Sequence, residues 1–117
     1  MAKKVLIIIN NPPIGTVFPA EAVRAGIAFA GMDLNTSLVF SGDGVFSLFK
    51  DQKPELIGAG SIKEGLSNAE EFGLKIFADK ESLEEKKVAE SEIEKVDILN
   101  NQKIKDLISS AEVIINF

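Results

Sequence analysis

The chain has 117 residues and carries 13 lysines and arginines against 18 aspartates and glutamates, for a net charge of -5. Its length fits one domain, and its 45% apolar and 26% charged residues match a globular protein with a full core. Cys, His, Tyr and Trp are absent, which excludes disulfides, thiolate nucleophiles, thiolate metal sites and the commonest general base.

Val5-Leu6-Ile7-Ile8-Ile9 is an unbroken apolar, mostly β-branched run, the pattern of a strand covered on both faces in a parallel sheet. Prolines 12 and 13 stop it, and Asn10 to Thr16 forms a loop. Pro19 suits a first helical turn, and Ala20 to Ala30 predicts a helix with Val23, Ile27 and Ala30 on one stripe, widened by Ala22, Gly26 and Phe29. So many small residues predict close approach to the sheet. Arg24 is the helix's one cation, and Gly31 is expected at its C-terminal stop.

Thr36 to Phe40 predicts a second strand, leading to Ser41-Gly42-Asp43-Gly44. There Asp43 is expected to cap a short helix from Gly44 to about Phe49. Val45, Phe46, Leu48 and Phe49 cover most of that helix's circumference, so it is either buried or pressed against another subunit. Lys50 to Gly60 reads as loop, with a turn of helix at Glu55-Leu56-Ile57. Ser61 and Glu64 match a capping box opening a helix with the stripe Ile62, Leu66, Ala69 and Phe72, stopped by Gly73.

Leu74 to Ala78 predicts a third strand, and Asp79-Lys80-Glu81-Ser82 opens a short charged helix. Val88 to Lys95 has weak periodicity and reads as loop and turn. Val96 to Leu99 predicts a short fourth strand, Asn100 or Asn101 a cap, and Ile104, Leu107 and Ile108 the inner face of a last helix. Val113 to Phe117 is expected as a final buried strand. Strands alternating with helices give a three-layer α/β/α domain.

Asp43-Gly44-Val45-Phe46-Ser47-Leu48, followed by Gln52-Lys53-Pro54, resembles the segment after the second strand in TusC-like members of the DsrE/DsrF-like sulfur-relay family. Pro12-Pro13-Ile14-Gly15 is similar to that family's first turn, Arg24 to its helix arginine, and Ala111 to Phe117 to its closing strand. The resemblance spans most of the chain and is poorest at Val88 to Lys95. It implies a five-stranded parallel sheet whose order runs from the fourth strand through third, second and first to the fifth. It also implies a homo-oligomer, a trimer or hexamer, with a cysteine-bearing relative of the family as a further partner. In sulfur-carrying members a cysteine after the third strand accepts a persulfide. Matching Lys80-Glu81-Ser82-Leu83 to the family pattern puts Asp79 there, with Ala78 as the other candidate, and neither side chain holds sulfur.

Two functional readings follow. In the first, the chain is a structural or regulatory subunit of a sulfur-relay assembly, docking through Phe46, Phe49 and Lys50. In the second, it is a small-molecule or nucleotide-binding protein or enzyme. Its pocket would lie at the C-terminal edge of the sheet, lined by Asn10, Gly15, Thr16, Asp43, Gly44 and Asp79. The first loop has neither the glycines and lysine of a phosphate loop nor a dinucleotide fingerprint. No catalytic residue, metal ligand or cofactor is assigned. The acid excess disfavours nucleic acid, no apolar run has membrane length, and a cytoplasmic location is expected.

Overall fold

The computed structural model describes residues 3–13, 17–50 and 62–117. The expected turn at Glu55 to Ile57, the Ser61 cap, Gln52-Lys53-Pro54, Gly15 and Thr16 lie outside them. Five strands form one parallel sheet: β1 (Lys4–Ile9), β2 (Asn35–Phe40), β3 (Lys75–Asp79), β4 (Asp97–Leu99) and β5 (Val113–Asn116). Their order is β4-β3-β2-β1-β5, as the resemblance implies. The α-helices are α1 (Phe18–Gly31), α2 (Ile62–Ala69), α3 (Lys80–Glu85) and α4 (Asn101–Ser110). Three 3₁₀ helices supplement them, at Gly42–Leu48, Glu70–Phe72 and Glu90–Glu92.

The register assigns each strand residue to a face. Ile7 pairs with Leu38, and Leu38 with Ile76, so these share one side. That side meets α1 and α2, and Val5, Ile7, Ile9, Leu38 and Phe40 form one core with Ala22, Val23, Leu66 and Ala69. The approach of α1 is close: a Cβ on Gly26 would lie 3.0 Å from Leu38 Cδ2. The opposite side carries Leu6, Ser37, Lys75 and Phe77 beneath α4.

Several expectations are corrected. The residue in left-handed conformation after α1 is Asp33 (φ 63), while Gly31 closes the helix itself; Gly73 (φ 78) does end the 3₁₀ extension of α2. The last strand is an edge, paired only with β1 among the described residues, and leaves Val113 and Ile114 exposed. No residue of α4 is buried; among the described helices it is the one lining the Leu6, Ser37 and Phe77 side of the sheet. Phe72, expected on the inner stripe, is exposed. Asn100 caps α4 by accepting the Lys103 amide at 3.0 Å. The weakly patterned stretch from Val88 to Lys95 lies against the Gly42–Leu48 helix. Val88 and Ile93 are buried, and the Glu94 amide donates to the Leu48 carbonyl at 2.8 Å.

Candidate functional site

β2 and β3 are hydrogen-bonded neighbours, so their C-terminal ends release the chain side by side. From β2 come Ser41, Gly42 and Asp43. From β3 comes Asp79, its last residue and the N-cap of α3. The cap explains why α3 starts there. One carboxylate oxygen of Asp79 accepts the Glu81 amide at 3.2 Å, relieving one of the helix's orphan donors.

The other oxygen faces two hydroxyls. Ser82 Oγ donates to Asp79 Oδ2 at 2.7 Å and Ser41 Oγ donates to the same atom at 3.1 Å. Ser82 Oγ in turn accepts the Gly42 amide at 2.8 Å. Ser82 is buried, and Ser41 and Asp79 are half-buried. The arrangement is a closed polar network. The proton of Ser82 is used on Asp79 and a lone pair on Gly42, so neither hydroxyl is presented as a nucleophile. Its effect is mechanical: it ties the loop after β2 to the start of α3.

Two glycines make the approach possible. Gly42 has φ +53, a conformation that side chains resist. At Gly44 the constraint is space, since a Cβ would fall 2.0 Å from the Ile9 carbonyl oxygen. The Gly42–Leu48 helix therefore rests directly on the end of β1, with Val45 and Leu48 fully buried beneath it.

Asp43 does not cap that helix. The N-cap is Ser41, in extended conformation, and its side chain makes no capping bond. Asp43 sits one residue inside the helix and pairs instead with Lys86 just beyond α3, Oδ1 to Nζ 3.0 Å. This second tie spans the same two segments. The hydrogen bond and charge of Asp43 hold the Lys86 ammonium above its ordinary pKa.

Of the other candidates, Asn10 is exposed, and its amide donates to the Phe117 carbonyl at 3.0 Å, joining the end of β1 to the last residue. It lies beside Gly42 and Gly44. Asn10, Asp43, Gly44 and Asp79 thus share one edge, but Asp43 and Asp79 engage different partners. No group of three Asp or Glu side chains able to hold a metal ion occurs among the described residues. Phe46 and Phe49 are half-buried against the core with ring centroids 5.8 Å apart, and Lys50 is exposed. Arg24 pairs with Glu21 on the open surface of α1 at 2.7 Å.

Ser41, Ser82 and Lys86 were not legible as members of the site. The local signal was Asp79 at a helix start, a residue type favoured as N-cap. Ser41 had none, since its partner Asp79 is 38 residues away and adjacent only through the pairing of β2 with β3.

The profile of the DsrE/DsrF-like family matches residues 3–117. The chain is 28% identical to Protein TusC of Buchnera aphidicola subsp. Baizongia pistaciae over 118 residues, covering 98% of this chain and 99% of that protein. It is 19% identical to the intracellular sulfur oxidation protein DsrF of Allochromatium vinosum, covering 100% and 98%. Among solved structures, the ychN protein from E. coli superposes with a TM-score of 0.84 at 22% identity, covering 98% of this chain and 99% of that one. MTH1491 of Methanobacterium thermoautotrophicum, a protein of unknown function, gives 0.72 at 12% identity over 98% and 99%. These structural likenesses establish the fold.

Proposed function

The chain belongs to the DsrE/DsrF-like family, and from that premise we propose that it is a structural or regulatory subunit of a sulfur-relay assembly and does not itself carry sulfur. One observation supports this above the others. Asp79, matched by resemblance to the carrier cysteine, is the acceptor at the centre of a closed network, and the chain contains no cysteine. A persulfide relay needs a thiolate sulfur to accept and pass on the sulfane atom. The side chains at this edge offer only oxygen and nitrogen atoms. Relatives named TusC and DsrF support the relay context.

In this reading the chain works as a homo-oligomer, and a cysteine-bearing relative supplies the carrier. Phe46 lies in the same 3₁₀ helix as Asp43, with Phe49 and Lys50 directly after it, so a partner docking there would contact a segment held by both ties. The test is co-expression with a cysteine-bearing family member, followed by size-exclusion chromatography with light scattering. Co-elution in a defined complex is expected. A strictly monomeric chain that binds no such member would overturn the proposal, as would sulfane sulfur retained by the purified chain after exposure to a persulfide donor and desalting.

A further inference from the structure

The face of the sheet beneath α4 holds a cavity of about 150 Å³. We infer that it binds the carboxylate of a small organic acid with an unbranched apolar tail. Leu6 and Ser37 are register partners, Ser37 and Lys75 are the next pair, and all three line the cavity from below. Leu107, Ser110 and Ala111, at the C-terminal end of α4, line it from above.

Ser37 carries the argument. It is 7% exposed, and its hydroxyl makes no hydrogen bond with any described residue. Its neighbour Thr36 donates to the Leu34 carbonyl at 3.1 Å, and Ser82 uses both its proton and a lone pair. A hydroxyl that opens into the cavity without a protein partner is left to water, so a ligand oxygen entering the cavity can take that place.

Charge selects the kind of partner. Lys4 and Lys75 contribute to the cavity lining, both are exposed, and neither ammonium has an ion-pair partner among the described residues. The nearby Glu112 carboxylate accepts from the Lys4 backbone amide at 3.2 Å and does not pair its ammonium. Two lysines and a hydroxyl donor suit a carboxylate, charge-assisted on each side.

Shape selects the rest. A shallow open groove shares Phe77, Leu107 and Ser110 with the cavity and is also lined by Leu99, Lys103 and Asp106. An apolar tail leaving the Ser37 end therefore runs under α4 past Phe77 and Leu107. Phosphate or sulfate would fill the head position and leave this groove empty. The cavity is separate from the network at Asp79 and does not depend on the relay reading.

The test is calorimetric titration of the full chain with acetate, butanoate and hexanoate, with hexanol as the neutral control. Saturable one-to-one binding is expected, tightening about fourfold per added CH₂. Hexanol should bind about tenfold more weakly than hexanoate, and Ser37→Ala or the Lys4→Met/Lys75→Met double variant should cost hexanoate about tenfold as well. Circular dichroism should show all variants folded, since Ser37→Ala removes only a hydroxyl and both lysines are exposed. Absence of saturable hexanoate binding, equal binding of hexanol, or full hexanoate affinity in folded Ser37→Ala would each overturn the inference. The last result would assign the cavity to ordered water alone.

Discussion

Two polar sites lie on this sheet, and they treat their hydroxyls in opposite ways. At the C-terminal edge, Ser41 and Ser82 converge on Asp79, and the donors and acceptors in that knot pair with one another. Beneath α4, Ser37 is as deeply buried as Ser82, yet it faces a cavity without a partner. The first arrangement resembles a fastened joint: it fixes two chain segments and leaves no group free for a ligand. The second gains little for the fold and leaves a donor available. Residue burial alone thus does not separate these two hydroxyls; the completeness of their hydrogen bonding does.

Substitutions can break this contrast. The largest effect is expected from Gly44→Ala, because the added methyl meets the Ile9 backbone rather than a yielding side chain. A loss of about 3 kcal/mol or more should appear as a lower urea midpoint. Retention of wild-type stability would show that the 3₁₀ helix does not depend on that close approach. Next comes Asp79→Ala, which removes the cap of α3 and the shared acceptor of two hydroxyls. About 2 kcal/mol should be lost in the same measurement, with Asp79→Asn recovering part of it.

The sharpest comparison is Ser82→Ala against Ser37→Ala. Both remove one hydroxyl from a buried residue, but Ser82→Ala also strands the Gly42 amide and should cost about 1–2 kcal/mol. Ser37→Ala removes a group without partners and should be near neutral. Equal losses in thermal melts would erase the distinction between the two sites.

The smallest effect belongs to the Asp43–Lys86 tie on the outer surface. The folded-state pKa of Lys86 is raised by its hydrogen bond to Asp43. Its contribution is therefore fully present below the lysine's unfolded pKa and is lost as pH rises through the higher folded value. Between pH 6 and 9 (below the usual lysine pKa of about 10.4) Lys86→Met should track the wild-type melting profile with a small constant offset. The two should converge only in strongly alkaline solution. An offset that vanished near neutral pH would contradict the assigned cause.

Much of this architecture was readable in advance. Val5 to Ile9 declared a strand by its apolar run, Pro19 a helix start, and Asp79 and Asn100 stood where caps form. The Asp43-Gly44-Val45-Phe46 stretch points to the right relatives, although Asp43 does not cap the helix after it. A carboxylate between glycines after a strand has the local signature of a cap. Here it became a surface ion pair because Ser41 entered the helix first and Lys86 was in reach. At Gly44 the decisive property is the missing side chain facing the Ile9 carbonyl, a contact between the 3₁₀ helix and β1 that no local pattern reveals.

Local sequence determined where the strands and helices lie, and that cysteine and histidine chemistry is absent, because periodicity, caps and residue type are properties of short stretches. Only the tertiary structure decided which hydroxyls find partners and how far each face is covered. Apolar spacing marks Ile108 and Ile114 as inward candidates, but among the described helices only short α4 lies over that face, and both are exposed. Parallel pairing joins residues dozens of positions apart, and in this way Ser41 acquired Asp79 while Ser37 was left facing a cavity.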